Sequence, residues 1–197
     1  FIIKDPTNLL ITFPSRKFNL NYCIGELCWY FSTSKYIFNI GKLAKLWVKL
    51  IDKNNEVESN YGEYIFNKKN NILSQWNWCI NELLSDNDSR RAVIVINQPY
   101  HKFKNLKDIP CTHFLHFLIR NNKLYLHCSM RSQDVIYGLC NDIFSFCILQ
   151  QLMLNELKFK GLKNIQLGEY HHFVSSLHLY EKHFQMSRDI LNEFSCL

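Results

Sequence analysis

The chain has 197 residues, 47% of them hydrophobic and 15% aromatic, which is enough for one domain with a large buried core. Its net charge of +6 favours an anionic partner, and the scattered lysines favour a phosphate-bearing small molecule over nucleic acid. No apolar run reaches the ~18 residues of a membrane helix, and no signal-peptide pattern begins the chain.

Helical spacing of apolar residues predicts three helices in the first half of the chain, over residues 20–31, 40–51 and 72–84. Residues 1–18, which Pro6 and Pro14 interrupt, are expected to form a strand and loops. Residues 52–60 form a predicted polar loop that leads into Tyr61-Gly62.

Apolar and alternating runs predict the later elements. In order these are a strand at 92–96, a hairpin at 113–130 with its turn at 120–123, a nearly all-apolar central helix at 143–157, a strand at 160–170 and a closing segment at 171–184. No repeat or linker interrupts the pattern. We therefore interpret residues 1–197 as a single α/β domain, with truncation at one or both ends left open.

The eight cysteines predict a reducing compartment and hence a cytoplasmic protein. They stand at positions 23, 28, 79, 111, 128, 140, 147 and 196. Several lie inside apolar runs, as buried free thiols do, and none forms a Cys-x-x-Cys pair. Neither disulfides nor a metal site is therefore predicted.

The predicted hairpin would bring Cys111 and Arg131 side by side at one end of a sheet. A thiol beside a guanidinium suits a nucleophile that acts on an anionic substrate. Two other motifs each allow two interpretations. Glu26, among bulky apolar residues of a helix, either points to solvent or is buried with a raised pKa, and Arg90-Arg91 are either solvated or bind phosphate.

Several motifs together carry a resemblance to a known family. They are Glu26-Leu27-x-Trp29-Tyr30, Tyr61-Gly62, Asp88-Ser89-Arg90-Arg91, Ile109-Pro110-Cys111, Arg131-Ser132-x-Asp134-Val135-x-x-Gly138 and His178-Leu179-Tyr180. Their order and spacing over residues 12–185 resemble thymidylate synthase and the related pyrimidine-nucleotide hydroxymethylases. The resemblance implies an α/β (α+β) thymidylate synthase-like fold, with a mixed sheet packed by a central buried helix and a homodimer formed through the sheet.

The resemblance also implies catalytic roles. Cys111 resembles the thiol that adds to C6 of a pyrimidine and makes C5 nucleophilic, which is covalent catalysis. Glu26 resembles the carboxylate that organises water and shuttles protons, and Tyr61 the tyrosine that helps to remove the C5 proton. A core-packing role for Tyr61 stays open.

Binding roles follow from the same resemblance. The nucleoside monophosphate would be held by Arg131 and Ser132 at its phosphate, by His178 and Tyr180 at its ribose 3′-hydroxyl, and by Arg90 and Arg91 across the dimer interface. The cosubstrate 5,10-methylenetetrahydrofolate would be bound by Asp134, with Trp47 as a stacking wall or, alternatively, a core residue. No metal is implied.

Asp142 departs from the thymidylate synthases, which have asparagine there. An asparagine amide matches the uracil edge, whereas a carboxyl group can accept from N4–H₂ of cytosine and, when protonated, donate to N3. Mismatched buried groups cost about 1–3 kcal/mol each, so one residue can switch the base. The neighbouring Asn141 leaves a one-residue shift of this alignment open.

The leading hypothesis is therefore a folate-dependent cytidylate 5-hydroxymethylase, acting on dCMP rather than CMP. The alternatives are a thymidylate synthase and a non-catalytic nucleotide- or RNA-binding relative. Thr112, Ala44 and Cys140 stand where the synthases have histidine, tryptophan and proline. The chain also ends without the synthase segment that closes over the folate, which a truncated sequence would explain equally well.

Overall fold

The computed structural model describes residues 1–68, 73–103 and 105–195. The strands are β1 (Ile2–Ile3), β2 (Val93–Val95), β3 (Thr112–Arg120), β4 (Lys123–Met130), β5 (Gln133–Asp134), β6 (Gln166–Val174) and β7 (Leu177–His178). The helices are α1 (Leu20–Phe31), α2 (Ile40–Leu43), α3 (Lys45–Leu50), α4 (Tyr61–Phe66), α5 (Gln75–Ser85), α6 (Gly138–Phe159) and α7 (Phe184–Ser195). Within these ranges, no helix is long and apolar enough to cross a membrane.

The main sheet has five strands in the order β1-β6-β4-β3-β2. Strands β3 and β4 form the predicted hairpin, and Asn121 and Asn122 both adopt the positive φ that its tight turn requires. Strands β4 and β6 pair in parallel, whereas the other neighbours are antiparallel, so the expected mixed sheet is confirmed.

Helix α6 lies against one face of this sheet and confirms the predicted central helix. Its buried side chains include Phe146, Leu149 and Met153, each fully shielded from solvent. The Gln150 side chain donates from Nε2 to the carbonyl oxygens of Leu124 at 2.8 Å and Gly168 at 3.1 Å, which ties the helix to two strands. The helix begins at Gly138, earlier than the apolar run predicted, because its first turn carries polar residues that face a cavity.

The predicted helix at 40–51 is wrong as a single element. Ala44 is extended, with φ of −143° and ψ of 115°, and separates α2 from α3. The break lets Trp47 pack against Trp29, with ring centroids 5.0 Å apart, and donate from Nε1 to the Tyr22 hydroxyl at 3.1 Å. These tertiary contacts outweigh the local tendency to continue the helix.

Other element boundaries also differ from the sequence prediction. The predicted helix start at residue 72 lies outside the described residues; the observed α5 begins after Ser74, whose hydroxyl caps it by accepting from the Asn77 amide at 3.2 Å. Strand β6 runs from Gln166 to Val174, so the predicted strand at 160–170 both begins and ends too early. Helix α7 was not predicted, because an exposed amphipathic helix has few buried apolar positions.

Gly62 explains why the Tyr61-Gly62 pair needs a glycine. A Cβ atom at this position would lie 1.6 Å from the main-chain oxygen of Tyr30 in α1. The close approach of α4 to α1 stacks the rings of Tyr61 and Tyr30, with centroids 5.4 Å apart. The glycine is therefore a packing requirement of the wall on which Tyr61 lies.

We expect Gly62→Ala to lower the free energy of unfolding by about 2–4 kcal/mol, because the added methyl group meets main chain that cannot move aside. Gly41→Ala is the control, since its nearest neighbour is the flexible end of Ile37 at 3.1 Å; its effect should stay below about 1 kcal/mol. Urea denaturation of both variants measures the difference. Equal effects would contradict the packing argument.

Candidate active site

A cavity of about 680 Å³ opens beside α1 and α3 and extends to the end of the β3–β4 hairpin and the start of α6. The predicted site residues that line it are Glu26, Trp47, Tyr61, Cys111, Arg131, Ser132, Asp134, Asp142, His178 and Tyr180. Residues from widely separated parts of the sequence therefore converge on one space, whose volume is typical of a small-molecule site.

Cys111 and Arg131 meet as the hairpin predicted. The Arg131 main-chain amide donates to the Cys111 carbonyl at 2.9 Å, and its guanidinium donates from Nε to the Pro110 oxygen at 3.2 Å and from Nη2 to the Ile109 oxygen at 2.8 Å. The arginine thus positions the loop that carries the thiol. Burial nevertheless raises the pKa of Cys111, and Arg131 only partly opposes it. Arg131 therefore favours the thiolate, but desolvation outweighs its effect in the ligand-free site.

Glu26 is buried, with 5% of its surface exposed, so the solvent-facing alternative is wrong. Its Oε1 accepts from the Tyr22 hydroxyl at 2.7 Å, and that hydroxyl accepts from Trp47 Nε1. Its Oε2 is buried and has no hydrogen-bond partner in the described part of the chain. Burial, and next the charge of Asp142, raise the pKa of Glu26 to about 8. Glu26 therefore holds a proton at neutral pH.

Asp142 lies on the first turns of α6, where Gln133 Nε2 donates to its Oδ2 at 2.8 Å. Burial raises the pKa of Asp142 to about 7, while the hydrogen bond from Gln133 acts in the opposite direction. Asn141 also lines the cavity, but its Oδ1 accepts from the Cys23 thiol at 3.4 Å. Two desolvated acids with raised pKa values thus share the cavity, which is typical of catalytic sites.

The small parallel sheet of β5 and β7 carries the remaining predicted ligands. It pairs Asp134 with His178, and the Val135 amide donates to the His178 carbonyl at 2.9 Å. The rings of His178 and Tyr180 make an edge contact with centroids 4.9 Å apart. Asp134 also stabilises the turn that leads into α6, since its Oδ2 accepts from the main-chain amides of Tyr137 at 2.9 Å and Gly138 at 3.4 Å. Asp134 therefore has a structural role as well as a place in the cavity.

The sequence analysis missed three cavity residues. Tyr22 stands four residues before Glu26 on α1, so helix geometry could have revealed it. Gln133 lies inside the Arg131–Gly138 motif, at a position where the motif specifies no residue type. Arg16 is 4% exposed, its Nε and Nη2 have no partner among the described residues, and it lies 4.9 Å from the centre of the Tyr137 ring. Nothing in the sequence around Arg16 indicated its burial.

Arg90 and Arg91 lie outside this cavity, in the turn before β2. The Arg91 guanidinium pairs with Glu82 at 2.7 Å, and its side chain is 71% exposed. The structure of one chain therefore does not bring this pair to the other site residues. Among the described residues, no group of three or more His, Cys, Asp or Glu side chains is arranged to hold a metal ion.

Part of the cavity lining is apolar. It includes Leu43, Leu46, Trp47 and Leu50. Asp134 supplies a carboxylate on the same cavity. An apolar lining with a few convergent polar groups is the usual design of a site for a small organic molecule.

Comparisons with known proteins identify relatives of this chain. Residues 6–194 match the family model described as thymidylate synthase. The chain is 31% identical over 174 residues to the deoxycytidylate 5-hydroxymethyltransferase of Enterobacteria phage T4, an alignment that covers 85% of this chain and 70% of that protein. The thymidylate synthase of Fusobacterium nucleatum is 27% identical, with coverage of 82% and 57%. The deoxyuridylate hydroxymethyltransferase of Delftia phage PhiW-14 is 26% identical, with coverage of 97% and 54%.

The fold comparison agrees with the sequence comparison. Thermostable thymidylate synthase A from Bacillus subtilis matches with a TM-score of 0.77 at 19% identity, covering 97% of this chain and 68% of that one. At this level of identity the match establishes the fold, which is the one that the motifs predicted.

The raised pKa values predict that stability falls as the pH rises. In the folded chain Glu26 and Asp142 stay protonated at pH values at which the same groups are ionised in the unfolded chain. Their contribution to the free energy of unfolding is therefore complete below about pH 4 and is lost as the pH rises to about 8. Glu26→Gln should reduce the loss between pH 5 and 8 by on the order of 2 kcal/mol. Chemical denaturation across this range measures it.

Glu58→Gln is the matched control. The pKa of Glu58 is lowered, because hydrogen bonds from Lys35 and Tyr64 outweigh its partial burial. The contribution of Glu58 to stability is present at pH values above its pKa in the unfolded chain. It is lost only as the pH falls through its lower pKa in the folded chain. The pH 5–8 slope should therefore stay as in the parent chain, and an unchanged slope in Glu26→Gln would contradict the assignment to Glu26.

Proposed function

The chain belongs to the thymidylate synthase family, and we propose that it transfers a hydroxymethyl group to C5 of deoxycytidine monophosphate. The family are one-carbon transferases that use methylenetetrahydrofolate and act on pyrimidine nucleotides. The observation that carries the cytosine assignment is the half-buried Asp142 carboxyl group, which lines the cavity and has a pKa of about 7. The 31% identity to a phage deoxycytidylate 5-hydroxymethyltransferase supports the same assignment.

Asp142 matches the hydrogen-bonding edge of cytosine. A carboxyl group near its pKa at neutral pH exists in both forms, so it can donate to N3 when protonated and accept from N4–H₂. A proton on N3 also withdraws electrons from the ring and makes C6 more electrophilic. The uracil edge has the opposite order of donor and acceptor, and it would leave buried groups unpaired.

Cys111 is the proposed nucleophile. Its thiolate adds to C6 as Asp142 protonates N3, which leaves an electron-rich C5 able to attack a one-carbon electrophile. The raised pKa of Cys111 means that the thiol of the ligand-free site must lose its proton when the nucleotide binds. Arg131 is the group that favours this loss, since its charge lowers the pKa of the thiol.

Glu26 and Tyr61 are the proposed proton carriers. Glu26 has a pKa of about 8, and its buried Oε2 lacks a partner in the described ranges. In its ionised form Glu26 would accept the C5 proton, through a water molecule that enters with the substrate, and pass it to the leaving nitrogen of the one-carbon donor. A second water molecule would then add its oxygen to the exocyclic carbon as the hydroxyl group and give its proton to the Glu26 carboxylate. Tyr61 lies on the same cavity with its ring fixed between Tyr30 and Phe146.

The phosphate and ribose have proposed ligands that line the same cavity. Arg131 and Ser132 would bind the phosphate, and Arg16, whose Nε and Nη2 lack partners among the described residues, would add a second positive charge. His178 and Tyr180 would bind the 3′-hydroxyl. Methylenetetrahydrofolate, when bound, supplies the one-carbon unit. The apolar part of the lining, with Trp47, and the Asp134 carboxylate would hold it.

Methylation of dUMP is the second candidate function. Asn141 also lines the cavity, and a relative in Fusobacterium nucleatum is named a thymidylate synthase. An asparagine reader would favour uracil. The Asn141 side-chain oxygen, however, already accepts a hydrogen bond from the Cys23 thiol. Asp142 instead accepts from the side-chain amide of Gln133, which also lines the cavity. The contacts therefore favour Asp142 as the base reader.

A homodimer formed through the sheet is part of the proposal. The face of the sheet opposite α6 exposes apolar side chains, of which Val95 is 42%, Phe114 37% and Phe173 55% exposed. A second copy of the chain would cover these exposed apolar side chains, which are typical of an interaction surface. The position of Arg90 and Arg91 beside β2, away from their own cavity, supports their proposed contact with the partner's phosphate site.

A reducing, cytoplasmic location is also proposed. Each cysteine among the described residues is a free thiol, which includes the reactive candidate Cys111. Cys196 lies outside the described residues. A thiol nucleophile needs its sulfur reduced, which fits a compartment that keeps thiols free.

The proposed function is tested by tritium release from 5-³H-dCMP and from 5-³H-dUMP, each with methylenetetrahydrofolate, and by the mass of the product. We expect release from dCMP with a hydroxymethyl product. Cys111→Ala should reduce turnover by at least about 10⁴-fold while dCMP still binds, because no other group can form the C6 adduct. Release from dUMP with a methyl product would instead establish the second candidate.

The same assay includes Asp142→Asn as the test of the base reader. An amide presents the uracil-compatible edge, so preference should shift toward dUMP by about tenfold or more. Asn141→Ala is the matched control and should leave the preference as in the parent chain. A shift caused by Asn141→Ala, with none caused by Asp142→Asn, would overturn the assignment of Asp142.

The shared dimer is tested by complementation. The double variant Arg90→Ala/Arg91→Ala and the variant Cys111→Ala should each be inactive alone. Mixed in equal amounts and allowed to exchange subunits, they should recover about a quarter of the parent activity, because half of the dimers then contain one complete site. Failure to recover activity, together with a monomer mass by light scattering, would contradict the dimer.

A further inference from the structure

The side chain of Gln133 is a buried amide on the cavity, and its nitrogen and oxygen differ in their hydrogen bonding. Only 3% of the residue is exposed. Its Nε2 donates to Asp142 Oδ2 at 2.8 Å, whereas its Oε1 is buried and has no hydrogen-bond partner in the part of the chain that the structure describes. A buried acceptor without a partner is costly, and its position on the cavity indicates that a ligand supplies the missing donor.

The backbone around Gln133 holds this amide in place. Its main-chain amide donates to the Ser176 carbonyl at 2.9 Å within the small sheet of β5 and β7. Gly138, at the start of α6, leaves the space that the side chain occupies, since a Cβ atom there would lie 2.6 Å from Gln133 Nε2. The glycine of the Arg131–Gly138 motif therefore gives the amide its room beside Asp142.

We propose that Gln133 determines base specificity by accepting a hydrogen bond from the cytosine N4–H₂ group through Oε1 while it orients Asp142 through Nε2. This inference rests on the proposed function and deepens it. It assigns to the cavity a second base-reading group beside Asp142.

The chemistry of the pair fixes the orientation of the amide. The unprotonated oxygen of a carboxyl group can only accept, so the NH₂ group of Gln133 faces Oδ2 of Asp142 and the amide oxygen faces away. That oxygen matches the amine of cytosine and opposes the O4 carbonyl of uracil, which is also an acceptor. Oδ2 of Asp142 accepts from the Gln133 amide and keeps a second acceptor site for the other N4 hydrogen, and Oδ1 carries the proton that is donated to N3. The two side chains together thus favour the cytosine edge and reject uracil.

The test compares kcat/KM for dCMP and dUMP in the parent chain and in Gln133→Leu. We expect kcat/KM for dCMP to fall at least about tenfold and the value for dUMP to change little, so that the selectivity ratio falls by the same factor. Gln133→Met, which keeps the length and volume of the side chain, should give the same change and covers the case in which the leucine variant does not fold.

Gln150→Leu is the matched control. Gln150 is another fully buried glutamine, but its Nε2 binds main-chain carbonyl groups between α6 and the sheet and it does not line the cavity. Its replacement should lower the melting temperature and leave the selectivity ratio unchanged within twofold. A structural role for Gln133 would likewise move stability without moving the ratio.

The outcomes separate the two proposals. A parent chain that prefers dCMP, with a selectivity ratio that neither Gln133 variant changes, would overturn the role of Gln133 and leave the proposed function standing. A parent chain that prefers dUMP would overturn the proposed function, and the amine-reading role of Gln133 with it.

Discussion

The desolvation of two carboxyl groups in one cavity is the constraint on which the site depends. Glu26 comes from α1 and Asp142 from α6. Burial raises the pKa of both groups, and the charge of Asp142 raises that of Glu26 further. Both therefore keep protons near neutral pH, which is unusual for carboxylic acids. Tyr22 and Gln133 hold the two groups in fixed orientations, so the fold gives up some stability to keep two proton donors beside one thiol.

The architecture brings these groups together because several elements end at the same place. The β3–β4 hairpin carries Cys111 and Arg131 at one end of the sheet, and the chain then passes through β5 into the first turn of α6. Strand β7 returns beside β5 with His178. The proposed nucleophile, base-binding groups and anion ligands thus line one cavity, as one-carbon transfer to a nucleotide would need.

Sequence patterns predicted the elements whose signals are local. The period of α1, the alternation of the hairpin and the apolar run of α6 each depend on neighbouring residues, and each was found. The break at Ala44 was missed because it follows from the contact of Trp47 with Trp29 and Tyr22, which the local pattern does not contain. Helix α7 was missed because its apolar positions bury little surface.

The sequence by itself determined the family and the residue types of the site, since the motifs name a thiol, a carboxylate and their basic neighbours in a fixed order. Only the tertiary structure decided that Glu26 is buried, that Cys111 rests as a thiol, and that Gln133 faces Asp142 with one acceptor unpaired. The physical reason is desolvation: a pKa and an unpaired atom depend on every element that excludes water from the cavity, and these elements lie far apart in the chain.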